Sequence, residues 1–254
     1  MPNHLTPEEL SREFGIDRSE VIRICVEESA GRVPVIAGCG ANDTARAIAL
    51  SRSAQDAGAD AILHVPPYYN RPGQAGIIAH FRAIAKAVTI PILLYNVPAR
   101  TVTDIAVETM KILARHARII GVKDATGNLA RVTEQRRACG PDFVQLSGND
   151  DMALGFMAMG GRGCISVTAN VAPRLCAEFQ RFCLEGQWEA ALDLQDRLFP
   201  LHAALFSDAS PAPVKYALSR VRPDFPGELR LPMVPASPKS RRAVDIALAA
   251  AGIA

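Results

Sequence analysis

The sequence predicts an α/β fold built on parallel strands, and three observations predict it. Short apolar runs rich in β-branched residues recur along the chain, stretches of helical period lie between them, and the two kinds alternate from residue 33 to residue 167. Runs that are apolar on both faces suit strands covered on both sides, as parallel strands are. The 254 residues, 49% apolar and 21% charged, are enough for one large domain with a sizeable core.

The elements follow in order. A first helix opens at Asp17, with Ile16 and Val21 placed as a hydrophobic staple and Asp17 and Glu20 as a capping box. Strand-like runs come at 33–38 (VPVIAG), 61–65 (AILHV), 91–96 (PILLYN), 119–124 (IIGVKD), 143–148 (FVQLSG) and 163–167 (GCISV). Asp43 caps a helical stretch that stops at Gly58, and Asp104 is placed to cap one that ends near His116. Beyond residue 170 the pattern is helical, with segments near 172–184, 187–205, 211–220 and 239–251. No G-x-G-x-x-G follows a strand, and Gly38-Cys39-Gly40 is too short to serve, so a dinucleotide-binding fold loses ground. The expectation is a (β/α)8 barrel of the TIM type over residues 1–170, lacking its first two strands, which would fall before residue 17, and a C-terminal helical region over 171–254.

Composition excludes several functions. A net charge of +2, evenly spread, argues against nucleic acid and anionic membranes as partners. The cluster Lys239, Arg241 and Arg242 reads as a solvated helix start. Cys25, Cys39, Cys139, Cys164, Cys176 and Cys183 form no C-x-x-C pair and have no histidine at metal-ligand spacing, so no metal site is expected. Scattered cysteines in apolar surroundings fit a reducing compartment, the cytoplasm. The start, MPNHLTPEEL, lacks the basic and apolar regions of an export signal, and no run reaches membrane-spanning length.

Active sites of parallel α/β folds gather at the carboxyl ends of the strands. Lys123 ends the run Ile119, Ile120, Gly121, Val122, where an apolar surround would favour the neutral, nucleophilic amine. Taken alone, a strand-end lysine is more often simply solvated. Tyr95 ends another strand and has a phenol able to shuttle a proton, though such a tyrosine alone is more often part of the core. Arg100, five residues on, has a planar fork that grips carboxylates, though a lone loop arginine is usually just exposed. The segment 66–72 (PPYYNRP) sets Tyr68 and Tyr69 in a stiff turn that would line a pocket or plug an interface.

Six strings carry a resemblance: GCGANDTARAI (38–48), PYYNRP (67–72), YNVPART (95–101), GVKDATGNL (121–129), LSGND (146–150) and GCISVTANV (163–171), with LRLPMVP (229–235) near the end. In order and spacing they are similar to the dihydrodipicolinate synthases, from about residue 20 onward. The resemblance implies a barrel with a helical C-terminal domain, assembled as a homo-oligomer, a dimer or a tetramer of tight dimers. It implies that Lys123 condenses with pyruvate, that the enamine so formed attacks aspartate semialdehyde, and that 4-hydroxy-tetrahydrodipicolinate is released for lysine and diaminopimelate synthesis. No cofactor is implied, because the protonated imine is itself the electron sink. Tyr95 takes the place of the proton relay, Tyr69 of the tyrosine offered across the tight dimer, and Arg100 of the arginine for the aldehyde's carboxylate. Gly148 and the main chain of Ile165 match positions lining the lysine's pocket. Another pyruvate aldolase of the N-acetylneuraminate lyase type, and a catalytically silent homologue, are the alternative readings.

The sequence also departs from that family. Its G-T-T-G-E-S segment has no counterpart here, and Thr6, near the threonine slot, lies between Leu5 and Pro7, which match nothing, so the role is not carried over. Pro66 replaces a threonine and Asn149 a frequent acid. Arg46 stands for a glutamate and Arg18 for a histidine of the lysine-feedback site, so feedback inhibition by lysine is not expected.

Overall fold

A computed structural model describes residues 17–253, which leaves Thr6 and the staple residue Ile16 outside the described residues. By their internal contacts the residues form two units: one runs to Thr126 and includes Glu134–Val144, and the other comprises Gly127–Thr133 and Gln145 onward.

The first unit begins with α1 (Arg18–Ser29), where the Asp17 side chain accepts from Ser19 N at 2.8 Å, the expected N-cap. Val21 is half exposed, and Glu20 is paired with Arg23. Then come β1 (Ile36–Gly38), α2 (Thr44–Asp56), β2 (Ala61–His64), α3 (Gln74–Ala87), β3 (Ile92–Asn96), α4 (Pro98–Thr101), α5 (Val107–Leu113), β4 (Ile119–Asp124) and α6 (Ala130–Cys139). Asp43 caps α2 by accepting from Arg46 N at 2.7 Å. Asp104 does not cap α5; its carboxylate is taken by the Asn96 amide, and Gln74 Oε1 meets the end of α5 instead, accepting from Ala106 N at 3.2 Å and the Thr109 hydroxyl at 2.6 Å.

Strands β1 to β4 run parallel in sequence order, with Ile36 opposite Ala61, Ile62 opposite Ile92, and Tyr95 opposite Lys123. One irregularity falls between Ile92 and Leu93, where Ile120 is the extra residue on β4. There Gly121 is obligatory: a Cβ would lie 2.3 Å from the Val144 carbonyl oxygen. Ile62, Ile77, Phe81, Ile84, Ile92, Leu94, Ile105, Met110 and Val122 are fully buried and form the core. Each such side chain contributes about 1.5–3 kcal/mol over its exposed state.

In the second unit the parallel pair β5 (Val144–Ser147) and β6 (Gly163–Cys164) sets Leu146 opposite Gly163 and Ser147 opposite Cys164. Helix α7 (Ala153–Ala158) lies between them in sequence, and α8 (Pro173–Leu184), α9 (Trp188–Ala204), α10 (Ala212–Val221) and α11 (Pro238–Ala250) follow, within a residue or two of the segments the periodicity predicts. Leu198, Leu201, Leu205, Ala217, Val244 and Leu248 pack as one cluster, and Met157, Phe179, Cys183 and Leu194 belong to another. No helix among the described residues is long and apolar enough to cross a membrane.

Candidate active site

Side chains alternate faces along a strand, and register partners on parallel neighbours share a face. At the carboxyl ends of β3 and β4 this rule sorts four residues into two pairs. Tyr95 and Lys123 are opposite each other, and so are Asn96 and Asp124, one step on and on the other face. The first pair sets an amine beside a phenol, and the second is taken up by hydrogen bonds.

Lys123 is 9% exposed, and its Nζ lies 4.2 Å from the centre of the Tyr95 ring. An ammonium in that place is attracted by the ring face. Burial pushes the Tyr95 phenol above its ordinary value, and the Arg100 guanidinium partly opposes it. The phenol therefore keeps its proton at neutral pH, as a proton donor must.

The second pair is buried and fully engaged. Asn96 donates to Asp104 Oδ1 at 2.6 Å and accepts from Ile105 N at 3.0 Å. Asp124 accepts from the backbone and hydroxyl of Thr126 at 2.9 and 2.6 Å, and from Gln135 Nε2 at 2.6 Å. Sequence inspection singles out neither Asn96 nor Asp124. Their side-chain carboxylate and amide partners, Asp104 and Gln135, lie eight and eleven residues away, and nothing in the spacing of polar residues marks those pairings.

Arg100 is exposed on the short helix α4. Tyr69 is 90% exposed in the 66–72 turn with a left-handed φ of 69°, and Arg71 has φ 44°. Non-glycine residues adopt that region at a cost in energy and stay there where the surroundings hold them. Val102, next to Arg100's helix, is a third, at φ 53°.

In the second unit Gly148 and Ile165 are one residue past the paired ends of β5 and β6, and Ile165 N donates to the Ser147 carbonyl at 2.9 Å. Nearby Asp150, another residue the sequence does not flag, is buried and accepts from the Ser166 hydroxyl, Val167 N at 2.8 Å and Thr168 N at 3.2 Å. It orders the backbone that follows β6.

Other nucleophiles are poorly placed. Burial pushes the Cys139, Cys176 and Cys183 thiols up to about 11, which keeps them from acting as thiolates. Burial drives His64 down to about 3, a neutral core imidazole bonded to the Ser51 hydroxyl. Among the described residues no group of three or more His, Cys, Asp or Glu is disposed to hold a metal.

Comparison with known proteins matches this arrangement to one family. The pattern of the Dihydrodipicolinate synthetase family fits residues 10–251. A 4-hydroxy-tetrahydrodipicolinate synthase of Rhizorhabdus wittichii is 66% identical over 238 residues, 94% of this chain and 82% of that protein. One of Zymomonas mobilis is 60% identical over 91% of this chain and 80% of its own length. Among solved structures, the dihydrodipicolinate synthase of Aquifex aeolicus superposes with a TM-score of 0.90 at 38% identity, over 98% of this chain and 83% of that one. The enzyme of Acinetobacter baumannii complexed with pyruvate superposes at 0.91 and 39% identity, over 99% and 83%.

Proposed function

The chain belongs to the dihydrodipicolinate synthetase family, and from that membership we infer both its reaction and the residues that perform it. It is an enzyme, a lyase that condenses pyruvate with aspartate semialdehyde to give 4-hydroxy-tetrahydrodipicolinate. The observation that supports Lys123 as the nucleophile is its pairing with Tyr95 at two neighbouring strand ends, Nζ 4.2 Å from the ring.

The neutral Lys123 amine adds to the pyruvate ketone, and loss of water leaves an imine. The protonated imine accepts the electron pair when the methyl group gives up a proton, and the resulting enamine carbon attacks the aldehyde. The alkoxide so formed takes a proton. Attack of the product's own amine on the imine carbon then closes the ring and returns Lys123. Tyr95, its phenol kept protonated by burial, carries protons between these oxygens. No cofactor enters the scheme.

Arg100 holds the carboxylate of the aldehyde substrate through its fork of donors. Gly148 and the main chain of Ile165, just past the paired ends of β5 and β6, match family positions for substrate binding. Tyr69, carried outward on left-handed backbone, serves a second copy of the chain, so the working form is a homo-oligomer. Six cysteines, none joined in a disulfide among the described residues, suit a reducing cytoplasm.

The test is a steady-state assay supplied with both substrates. The wild-type chain is expected to form product and Lys123→Ala to fall to background. Product from the alanine variant at the wild-type rate would remove Lys123 from the mechanism.

A further inference from the structure

Two exposed features of this surface stand on buried hydroxyls that the reaction does not use. The loop from Val97 to Asp104 is pinned at its base by Asn96, which donates to Asp104 Oδ1 and accepts from Ile105 N, and by Gln74 Nε2, 2.8 Å from the Asp104 carbonyl. Inside the loop the Thr101 hydroxyl lies 3.1 Å from the Val97 carbonyl and 2.9 Å from the Thr103 carbonyl. The Thr103 hydroxyl leaves the loop altogether and donates to the Pro67 carbonyl at 3.2 Å. Thr101 and Thr103 are 4% and 6% exposed, whereas Arg100, Val102 and Tyr69 above them face solvent.

We propose that Thr103 is a positioning residue for the aldehyde substrate, its hydroxyl tying the loop that presents Arg100 to the turn that presents Tyr69. The acceptor is well chosen for this. Pro67 is buried and follows Pro66, so two fixed φ angles make its carbonyl a stiff anchor. Both tied segments hold non-glycine residues at left-handed φ, a conformation that persists only where the surroundings over-determine it. With the hydroxyl gone, the buried Pro67 carbonyl loses that donor and the two segments relax separately. Lys123 and Tyr95 stand on paired strands and keep their places, so imine formation with pyruvate is unaffected while Arg100 loses its aim.

This inference rests on the reading of Arg100 as the carboxylate-binding residue, and the experiment separates the two. Steady-state constants for each substrate are measured for Thr103→Val, Thr103→Ser, Arg100→Ala and the Thr103→Val/Arg100→Ala double variant. Thr103→Val is expected to raise KM for aspartate semialdehyde by about tenfold, the scale of a modest misplacement, and to change KM for pyruvate by less than about twofold. Thr103→Ser, which keeps the donor, restores the wild-type value, and Thr103→Val adds nothing once Arg100 is alanine. Should Thr103→Val fail to fold, Thr103→Ala makes the same comparison. An unchanged aldehyde KM in Arg100→Ala would overturn the reading of Arg100. A raised one, with Thr103→Val silent, equally harmful to both substrates, or still harmful in the double variant, would overturn the role of Thr103.

Discussion

Burial raises the Tyr95 phenol above its ordinary value against the opposing pull of Arg100, and so favours the protonated form that the proposed relay requires. The sign of this balance is testable. Removing the cation in Arg100→Ala withdraws support from the phenolate, so the Tyr95 titration, followed as tyrosinate absorbance against a Tyr95→Phe reference, is expected to move to still higher pH. An unmoved titration would mean that Arg100 is not felt at Tyr95, and a downward one would reverse its sign. The same Tyr95→Phe variant should lose about 10²- to 10⁴-fold in kcat, the usual contribution of a positioned acid or base. At this scale the sequence was legible where chemistry shows in residue type: a lysine, a tyrosine and an arginine at or just after strand ends. Asn96, Thr103 and Asp124 were not, because an amide, a hydroxyl or a carboxylate declares a holding role only through the partner it meets in the fold.

Elements were more legible than residues. An apolar run five or six residues long between turns can bury both faces only as a covered strand, and all six such runs contain strands, Ile119–Asp124 matching its run end to end. Asp17 and Asp43 announced their helices because a capping side chain acts two or three residues along the chain. Asp104 misled for the same reason. It stands three residues before Val107, but Asn96 from the preceding strand claims its carboxylate, a competition invisible in local spacing. The irregular step on β4 is a further case, legible only as a glycine in a strand. Gly121→Ala would push a methyl to 2.3 Å from the Val144 carbonyl oxygen, so chemical denaturation should show a loss of about 1–3 kcal/mol, as overpacked sites do. A wild-type midpoint would mean that β4 has slack there.

At the scale of the whole molecule, the alternation of strand and helix gave the α/β class, and superposition on solved family members at TM-scores of 0.90 and 0.91 agrees with it. Assembly is different, because an exposed tyrosine on left-handed backbone does not by itself name a partner. If a second copy meets it, Tyr69→Asp should shift the mass measured by sedimentation toward a smaller species and lower kcat together. An unchanged mass would leave the tyrosine without an interface. The proposed reaction depends on an imine at Lys123, which borohydride in the presence of pyruvate would trap as a stable amine visible in the intact mass. A single pyruvate-sized, reduced adduct is expected on the wild-type chain and none on Lys123→Ala. Folded wild-type protein that stays unmodified, or an alanine variant that is labelled as well, would contradict it.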